Sequence, residues 1–242
     1  MHWQYEPERG APGSGDRSAN TAAPPTTRDR EPARRGGVGR GGAKRAVSTT
    51  HLLYLHGFRS SPRSTKAQLV ARWIAAHRPE VHWWCPQLPP SPHEAMRLIE
   101  AGIAGWPCDA MAVIGSSLGG FYATAVAERH GCRAVLLNPA VQPARDLAQH
   151  IGETHAWHDP DERLFFRAEY IDELRDLVPA AITRPERYLA VIAKGDELLD
   201  WREMRSRYAG APIILLEGGD HALTGFDDHL PDVMRFLELA PG

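Results

Sequence analysis

The stretch Ala110-Met111-Ala112-Val113-Ile114-Gly115-Ser116-Ser117-Leu118-Gly119 decides the fold. Its first five residues are apolar without alternation, which is typical of a strand buried on both faces of a parallel sheet. The G-x-S-x-G pattern that follows is typical of a sharp strand-to-helix turn that exposes a serine. An Ala-rich helix is predicted from Gly120 to about His130. We expect that a Cβ atom at Gly115 or Gly119 would collide with the facing backbone of so tight a turn.

Short apolar runs and helical patterns alternate on both sides of this turn. Because the runs lack alternating polarity, they predict an α/β fold in which helices cover both faces of a mostly parallel sheet. The further predicted strands are His51–Leu55, Val81–Cys85, Ala134–Leu137, Leu189–Ile192 and Pro212–Leu216, and the further helices are one capped by Ser64 that runs through Ile74, His93–Ile103 and Asp228–Leu239.

Residues 1–50 differ in composition from the rest of the chain. They contain 8 Gly, 5 Pro and nine basic residues against five acidic ones, and Val38 and Val47 are their sole Leu, Ile, Phe or Val residues. Such a segment cannot offset the entropy of ordering its backbone, so we interpret it as a disordered extension of a domain at 51–242. Its tract Arg34–Arg45 resembles an arginine–glycine RNA-binding segment, although a solvated leader without a role is the simpler interpretation.

The composition argues against several classes of protein. The 28 Lys and Arg residues nearly balance the 30 Asp and Glu residues, so the net charge of −2 does not indicate a partner. Cys85, Cys108 and Cys132 fit neither a disulfide framework nor zinc spacing, and they suit a reducing, cytoplasmic compartment. No apolar run approaches the ~18 residues of a membrane-spanning helix, and the first residues do not resemble a secretory signal, so we expect no membrane partner.

A reactive serine needs a base, and the base needs an acid that orients it. His221 follows the last predicted strand in a turn of small residues, and Asp196 follows the strand before it. Asp200 and Asp220 are rival acids, but Asp200 falls in the first turn of a helix and Asp220 adjoins the histidine. The order Ser117, Asp196, His221 at the ends of strands is the order found in α/β hydrolases.

An acyl-transfer site also needs two backbone donors for the oxyanion. The loop after the first strand has the H-G-x form, and we assign the oxyanion to the N–H groups of Phe58 and Leu118. His56 is expected to support this loop by hydrogen bonds and is also a candidate for substrate binding. Arg59 and Arg63 flank the same mouth and could attract an anionic substrate, although solvated surface charges are the simpler interpretation.

The alternation of strands and helices breaks between Asn138 and Arg184. We predict that a cap-like insertion at about 141–184 lies over the carboxyl ends of the strands, where open α/β sheets bind ligands. Its histidines, His150, His155 and His158, could suggest a metal site. Their spacing is irregular, so exposed histidines are the simpler interpretation, and we expect no metal.

Six segments of the chain together resemble the small YqiA/YcfP-type esterases of the α/β-hydrolase superfamily. The resemblance covers essentially all of 51–242, and the extension at 1–50 departs from it. It implies a compact cytoplasmic α/β hydrolase that acts on short acyl esters or thioesters, with Ser117, Asp196 and His221 as its triad. The segments are His56–Ser64, Pro86–Pro90, Gly115–Ala123, Asn138–Ala140, Gly195–Glu197 and Glu217–Ala222.

We therefore predict a serine hydrolase that cleaves short-chain acyl esters through an acyl-enzyme, without a metal or organic cofactor. Its expected partner is a small-molecule acyl ester or thioester. One alternative is an acyl-CoA thioesterase or acyltransferase, and another is a non-enzymatic binding protein on a hydrolase scaffold. In that second alternative only the extension would bind nucleic acid. The sequence indicates neither the acyl chain length nor the oligomeric state.

Overall fold

The computed structural model describes residues 48–155 and 163–240. The predicted extension at 1–50 lies outside the described residues except for its last three, and so does His158. Within the described ranges, no helix has both the length and the apolar character that crossing a membrane requires.

The described chain forms a six-stranded sheet, a separate two-stranded hairpin and a set of α-helices. The strands are β1 (His51–Leu55), β2 (His82–Trp84), β3 (Met111–Ser116), β4 (Arg133–Leu137), β5 (Gly152–His155), β6 (Arg163–Phe166), β7 (Tyr188–Ala193) and β8 (Ile213–Leu216). The helices are α1 (Thr65–His77), α2 (Pro92–Ile103), α3 (Leu118–His130), α4 (Pro143–Asp146), α5 (Glu169–Asp176), α6 (Trp201–Arg207) and α7 (Leu230–Phe236).

The large sheet has the strand order β2-β1-β3-β4-β7-β8, and every pairing in it is parallel. Successive side chains of β3 point to opposite faces, so Val113 packs with α2 and α3, whereas Ile114 packs with α1 and α7. Both side chains are fully buried, and each contributes on the order of 1.5–3 kcal/mol of hydrophobic stabilisation. The predicted α/β fold with helices on both faces is confirmed.

The strand before the G-x-S-x-G turn ends later than predicted, and the helix after it begins earlier. Strand β3 continues to Ser116 instead of ending at Ile114, and α3 begins at Leu118 instead of Gly120. A single residue, Ser117, therefore separates strand from helix. Ser64 precedes α1 as predicted, but its side chain makes no capping hydrogen bond.

The predicted final helix is wrong at both ends. A 3₁₀ turn occupies 226–229, and α7 covers only Leu230–Phe236. Pro231 lies in its first turn, because proline has no N–H to donate in a helix interior. The helix ends before Glu238, whose φ of 56° is not helical.

The region predicted as an insertion contains α4, the antiparallel hairpin β5–β6 and α5. The hairpin was not predicted, because its first strand is the polar segment Gly-Glu-Thr-His. Phe166 at the end of β6 is buried, and its ring meets the ring of Phe58 edge-on at 5.3 Å. The insertion thus packs on the loop that follows β1.

Candidate active site

Ser117 occupies a strained turn between β3 and α3. Its φ of 54° and ψ of −119° are unusual for a residue with a side chain and cost on the order of 1–3 kcal/mol. A Cβ atom at Gly115 would lie 2.2 Å from the carbonyl oxygen of Gly119, and one at Gly119 would lie 2.0 Å from that of Leu55. The N–H of Ser117 donates to the Leu137 carbonyl at 3.0 Å. Strands β1 and β4 therefore hold the serine in place from both sides.

Strained backbone is concentrated at this edge of the sheet. Among the described residues, five that are not glycine have a positive φ, and four of them lie in loops that follow strands of the large sheet. Such strain persists only where surrounding contacts enforce it, and it is common at functional sites. The four residues are Arg59, Ser117, Asn138 and Leu223.

The structure brings Ser117, His221 and Asp196 into one line of hydrogen bonds. The Nε2 atom of His221 lies 3.0 Å from Ser117 Oγ, and its Nδ1 atom lies 2.9 Å and 3.1 Å from the two carboxylate oxygens of Asp196. The Asp196 side chain is fully buried and also accepts the N–H groups of Leu198 and Leu199, each at 2.9 Å. A carboxylate at Nδ1 favours the tautomer that presents the Nε2 lone pair to the serine hydroxyl.

The two rival acids have other partners. Asp200 is the N-cap of α6 and accepts the N–H of Arg202 at 2.9 Å. Asp220 accepts the N–H and the hydroxyl of Thr224 at 2.8 Å and 2.7 Å, which lowers the pKa of its carboxyl group. Neither carboxylate is hydrogen-bonded to the imidazole of His221.

Three residues that the sequence reasoning missed hold the backbone around His221. Glu197 accepts the N–H of His221 at 3.0 Å. Lys66, at the start of α1, donates to the carbonyl of Ala222 at 2.5 Å. The third is Asn138, directly after β4. A signal existed for Asn138 alone, because polar residues after parallel strands tend to line the functional edge of a sheet.

Asn138 connects two strands to the turn at 217–222 that carries His221, the histidine turn. Its side chain is buried, its Nδ2 donates to the Asp220 carbonyl at 3.0 Å, and its Oδ1 accepts the N–H of Ala193 at 2.8 Å. Asparagine tolerates the positive φ of 42° found here better than most residues do. One amide group therefore fixes the histidine turn to the end of β7.

Leu118 directly follows Ser117, and Phe58 follows Gly57, where a Cβ atom would lie 3.2 Å from Ser117 Cβ. Leu118 is the first residue of α3, where an N–H has no partner inside the helix and the helix dipole is positive. In the described part of the chain, neither N–H donates a hydrogen bond to another residue. The Phe58 ring packs on Phe166 and on His150, which fixes its loop.

His56 and Arg59 make contacts within the protein. His56 Nδ1 lies 2.9 Å from the Gly57 carbonyl, and its Nε2 accepts the N–H of Leu88 at 3.0 Å. Both ring nitrogens thus support the loop, and neither is left for a substrate. Arg59 donates from Nε to the carbonyl of His155, which joins this loop to β5.

Two clefts of similar volume meet at Ser117 and His221. The first, the α4 cleft, has a volume of about 400 Å³, and the second, the α1 cleft, about 430 Å³. Both are within the usual size range of small-molecule sites, about 300–1,000 Å³. The α4 cleft is lined largely by Leu118, Ala140, Pro143, Leu147, Leu198 and Leu199, and the α1 cleft by Ser60, Ser61, Arg63, Ser64, Thr65 and Lys66.

Within 48–155 and 163–240, no group of three or more His, Cys, Asp or Glu side chains is arranged to hold a metal ion. His150 instead packs against Phe58, and His155 lies in β5.

Comparison with solved structures agrees with the fold. A hydrolase described as putative from Agrobacterium vitis S4 has a TM-score of 0.60 at 15% identity, covering 80% of this chain and 90% of its own. Alpha/beta hydrolase domain-containing protein 10 from mouse has a TM-score of 0.56 at 13% identity, covering 79% and 92%. Est1E from Butyrivibrio proteoclasticus, with bound ferulic acid, has a TM-score of 0.55 at 16% identity, covering 79% and 87%.

Comparison with protein families identifies the family, whereas the solved structures show only the fold. The model of an uncharacterised protein family, UPF0227, matches residues 51–238, which include every strand of the sheet and all of the residues described at this edge. The chain therefore belongs to UPF0227, the YqiA/YcfP family that its sequence motifs resemble, and it has the α/β-hydrolase fold.

Proposed function

We propose that this protein is a carboxylic ester hydrolase in which Ser117 is the nucleophile, His221 the general base and Asp196 the acid that orients it. The observation that carries the proposal is the continuous hydrogen-bonded line from Ser117 Oγ through the imidazole to the Asp196 carboxylate. A serine hydroxyl needs such a base to become nucleophilic near neutral pH. The esterase among the similar structures is consistent with this reaction class.

The first half of the reaction forms an acyl-enzyme. Ser117 Oγ attacks the acyl carbonyl while its proton passes to His221 Nε2, and the buried Asp196 carboxylate stabilises the imidazolium that results. The negative charge on the carbonyl oxygen is bound by the N–H groups of Phe58 and Leu118. The bond between the acyl carbon and the leaving oxygen then breaks, and that oxygen takes the proton from His221.

The second half releases the acid. A water molecule gives a proton to His221 Nε2 as its oxygen attacks the acyl carbon, and the same oxyanion donors bind the charge that forms. The bond to Ser117 Oγ breaks, the serine recovers its proton, and the carboxylic acid leaves. Every proton is carried by one imidazole, so this cycle requires no additional acid or base.

The acyl group is assigned to the α4 cleft. Four leucines and a proline line it together with Phe58 and Ala140, and burying a CH₂ group there is worth about 0.8 kcal/mol. With a volume of about 400 Å³ the cleft suits short acyl chains. We therefore propose that acyl groups of a few carbons are the preferred substrates.

The test is hydrolysis of p-nitrophenyl esters with acyl chains of two to twelve carbons by the wild type and by Ser117→Ala. Ser117→Ala should lower kcat by on the order of 10³-fold or more. Ser206→Ala, an exposed serine on α6, is the control and should match the wild type.

A second readout does not depend on the choice of ester. A fluorophosphonate probe should label the wild type and Ser206→Ala on Ser117, located by peptide mass spectrometry, and should leave Ser117→Ala unlabelled. Equal ester hydrolysis by the wild type and Ser117→Ala, or labelling at another serine, would contradict the proposal.

A further inference from the structure

The two clefts at Ser117 differ in charge more than in size. The α4 cleft includes the carboxylates of Asp146 and Glu197 and the guanidinium of Arg59 in its wall. Among the described residues, no carboxylate lines the α1 cleft, and its charged side chains are Arg63 and Lys66. The α1 cleft thus presents positive charges and the α4 cleft mixed ones, so an anionic group that reaches Ser117 is attracted more strongly on the α1 side.

Lys66 is the cation of the α1 cleft that contacts the chain beside His221. Its ammonium donates one hydrogen bond to the carbonyl of Ala222, the residue after His221. An ammonium has three N–H donors, and the same side chain lines the cleft, so the group can donate to a ligand there as well.

The environment of Lys66 leaves its charge poorly compensated. Burial lowers the pKa of its ammonium to about 8, although the carboxylates of Asp196 and Asp220 act in the opposite direction. Asp196 is already bonded to His221 and Asp220 to Thr224. An anion bound in the α1 cleft would supply the missing compensation.

The remaining wall of the α1 cleft is rich in hydroxyl groups. Ser60, Ser61, Ser64 and Thr65 line it next to the two cations. Hydroxyls and cations together are the side chains that bind the oxygens of phosphates and carboxylates. The apolar part of a substrate would pack against the leucines of the α4 cleft instead.

We propose that the α1 cleft receives the leaving alcohol or thiol of the substrate, and that this leaving group carries a phosphate or a carboxylate near the scissile bond. The inference rests on the proposed ester hydrolysis and specifies its substrate class. The products are a short carboxylic acid and an anionic alcohol or thiol, the latter protonated on its former ester atom by His221. Lys66 and Arg63 determine specificity and take no part in proton transfer.

The test compares substrates that share an acyl group and differ in charge. The phosphate pair is 1-butyrylglycerol 3-phosphate and 1-butyrylglycerol, and the carboxylate pair is 3-butyryloxypropanoate and 3-butyryloxypropanamide. For the wild type we expect kcat/KM to be at least about tenfold higher for the anionic member of one pair, and the pair that shows this identifies the anion. High salt should reduce the preference.

For the variants, the readout is kcat/KM for the anionic ester divided by kcat/KM for the neutral ester of the same pair. This ratio cancels any loss that Lys66→Gln causes by releasing the Ala222 carbonyl. Lys66→Gln and Arg63→Gln should each lower the ratio several-fold, and the double variant should bring it to about one. Arg72→Gln, an exposed arginine farther along α1, is the matched control and should keep the wild-type ratio.

The outcomes separate this inference from the proposed function. Hydrolysis of neutral and anionic esters at equal rates would overturn the inference and leave the ester hydrolase intact. If no ester is hydrolysed, the proposed function fails, and calorimetry with glycerol 3-phosphate and with propanoate then decides about the cleft. Binding by the wild type that Lys66→Gln or Arg63→Gln abolishes would support an anion site, and the absence of binding would overturn it.

Discussion

The turn that carries Ser117 and the turn that carries His221 are built on different principles. The serine turn, Gly115–Gly120, is fixed by backbone atoms so close together that two of its residues have no room for a Cβ atom. The histidine turn, 217–222, has an open position at Gly218, where a Cβ atom would have no neighbour within 4 Å. The histidine turn is closely packed at Gly219, whose carbonyl oxygen would lie 2.3 Å from a Cβ atom at Gly195, and it leaves space at Gly218.

Side chains from distant parts of the chain hold the histidine turn. Asn138, Glu197 and Lys66 all make hydrogen bonds to its backbone, and two of the three are charged. The position of the nucleophile should therefore respond to changes in volume. The position of the base should respond to changes in charge, hydrogen bonding and pH.

The largest expected effect tests the difference in packing. Gly119→Ala should destabilise the fold by ~3 kcal/mol or more, because the new methyl group meets the Leu55 carbonyl, although alanine is the better helix former. Gly218→Ala should change stability by less than about 0.5 kcal/mol. Urea unfolding of both variants measures the contrast, and similar losses in the two would refute it.

An intermediate effect is expected from Asn138→Asp. The carboxylate keeps the acceptor for the Ala193 N–H but loses the donor to the Asp220 carbonyl, so the histidine turn should shift. We expect kcat for a neutral ester to fall ~10-fold, a typical cost of losing a buried hydrogen bond of about 1.4 kcal/mol. KM should change little, because Asn138 lines neither cleft. A raised KM at unchanged kcat would contradict this role.

The smallest effect concerns pH and isolates the charge of Lys66, which donates a hydrogen bond to the histidine turn. The pKa of Lys66 is about 8 in the folded chain and 10.5 as its ordinary value. Between these values the unfolded chain binds more protons, so this group makes the free energy of unfolding increase as the pH rises.

Urea unfolding of the wild type and Lys66→Gln from pH 7 to 10.5 measures this contribution. The stability difference should move in favour of the wild type as the pH rises through 8. If the stability difference is constant, or changes in favour of the variant, folding does not lower the pKa of the Lys66 ammonium.

The serine turn could be predicted from sequence because its determinants are contiguous. An apolar strand, two glycines and a helix all lie within about twenty residues, and the clash between Gly115 and Gly119 is local to them, whereas the clash between Gly119 and Leu55 joins the turn to β1. The start of α3 was misplaced by two residues because the pattern does not show how abruptly a strand can become a helix. The parallel sheet was equally predictable, since β7 is apolar throughout and β1, β3 and β4 each have a polar residue only at one end.

The supports of the histidine turn could not be predicted in the same way. Lys66 lies in a helix whose only sequence signal is amphipathicity, and nothing local indicates that its ammonium reaches Ala222. The β5–β6 hairpin was missed because polar residues dominate its first strand and the register comes from pairing alone. In both cases the information resides in contacts between segments remote in the sequence.

The hydrogen bond between Ser117 and His221 joins residues 104 positions apart. A contact of such long range forms late, because the entropy of closing so large a loop must be overcome before the contact contributes. A chain that emerges N-terminus first completes its serine turn well before the histidine turn is available. We therefore expect the serine proposed as the nucleophile to stay unreactive during synthesis and in partly folded chains, so that its labelling by a fluorophosphonate would report completed folding.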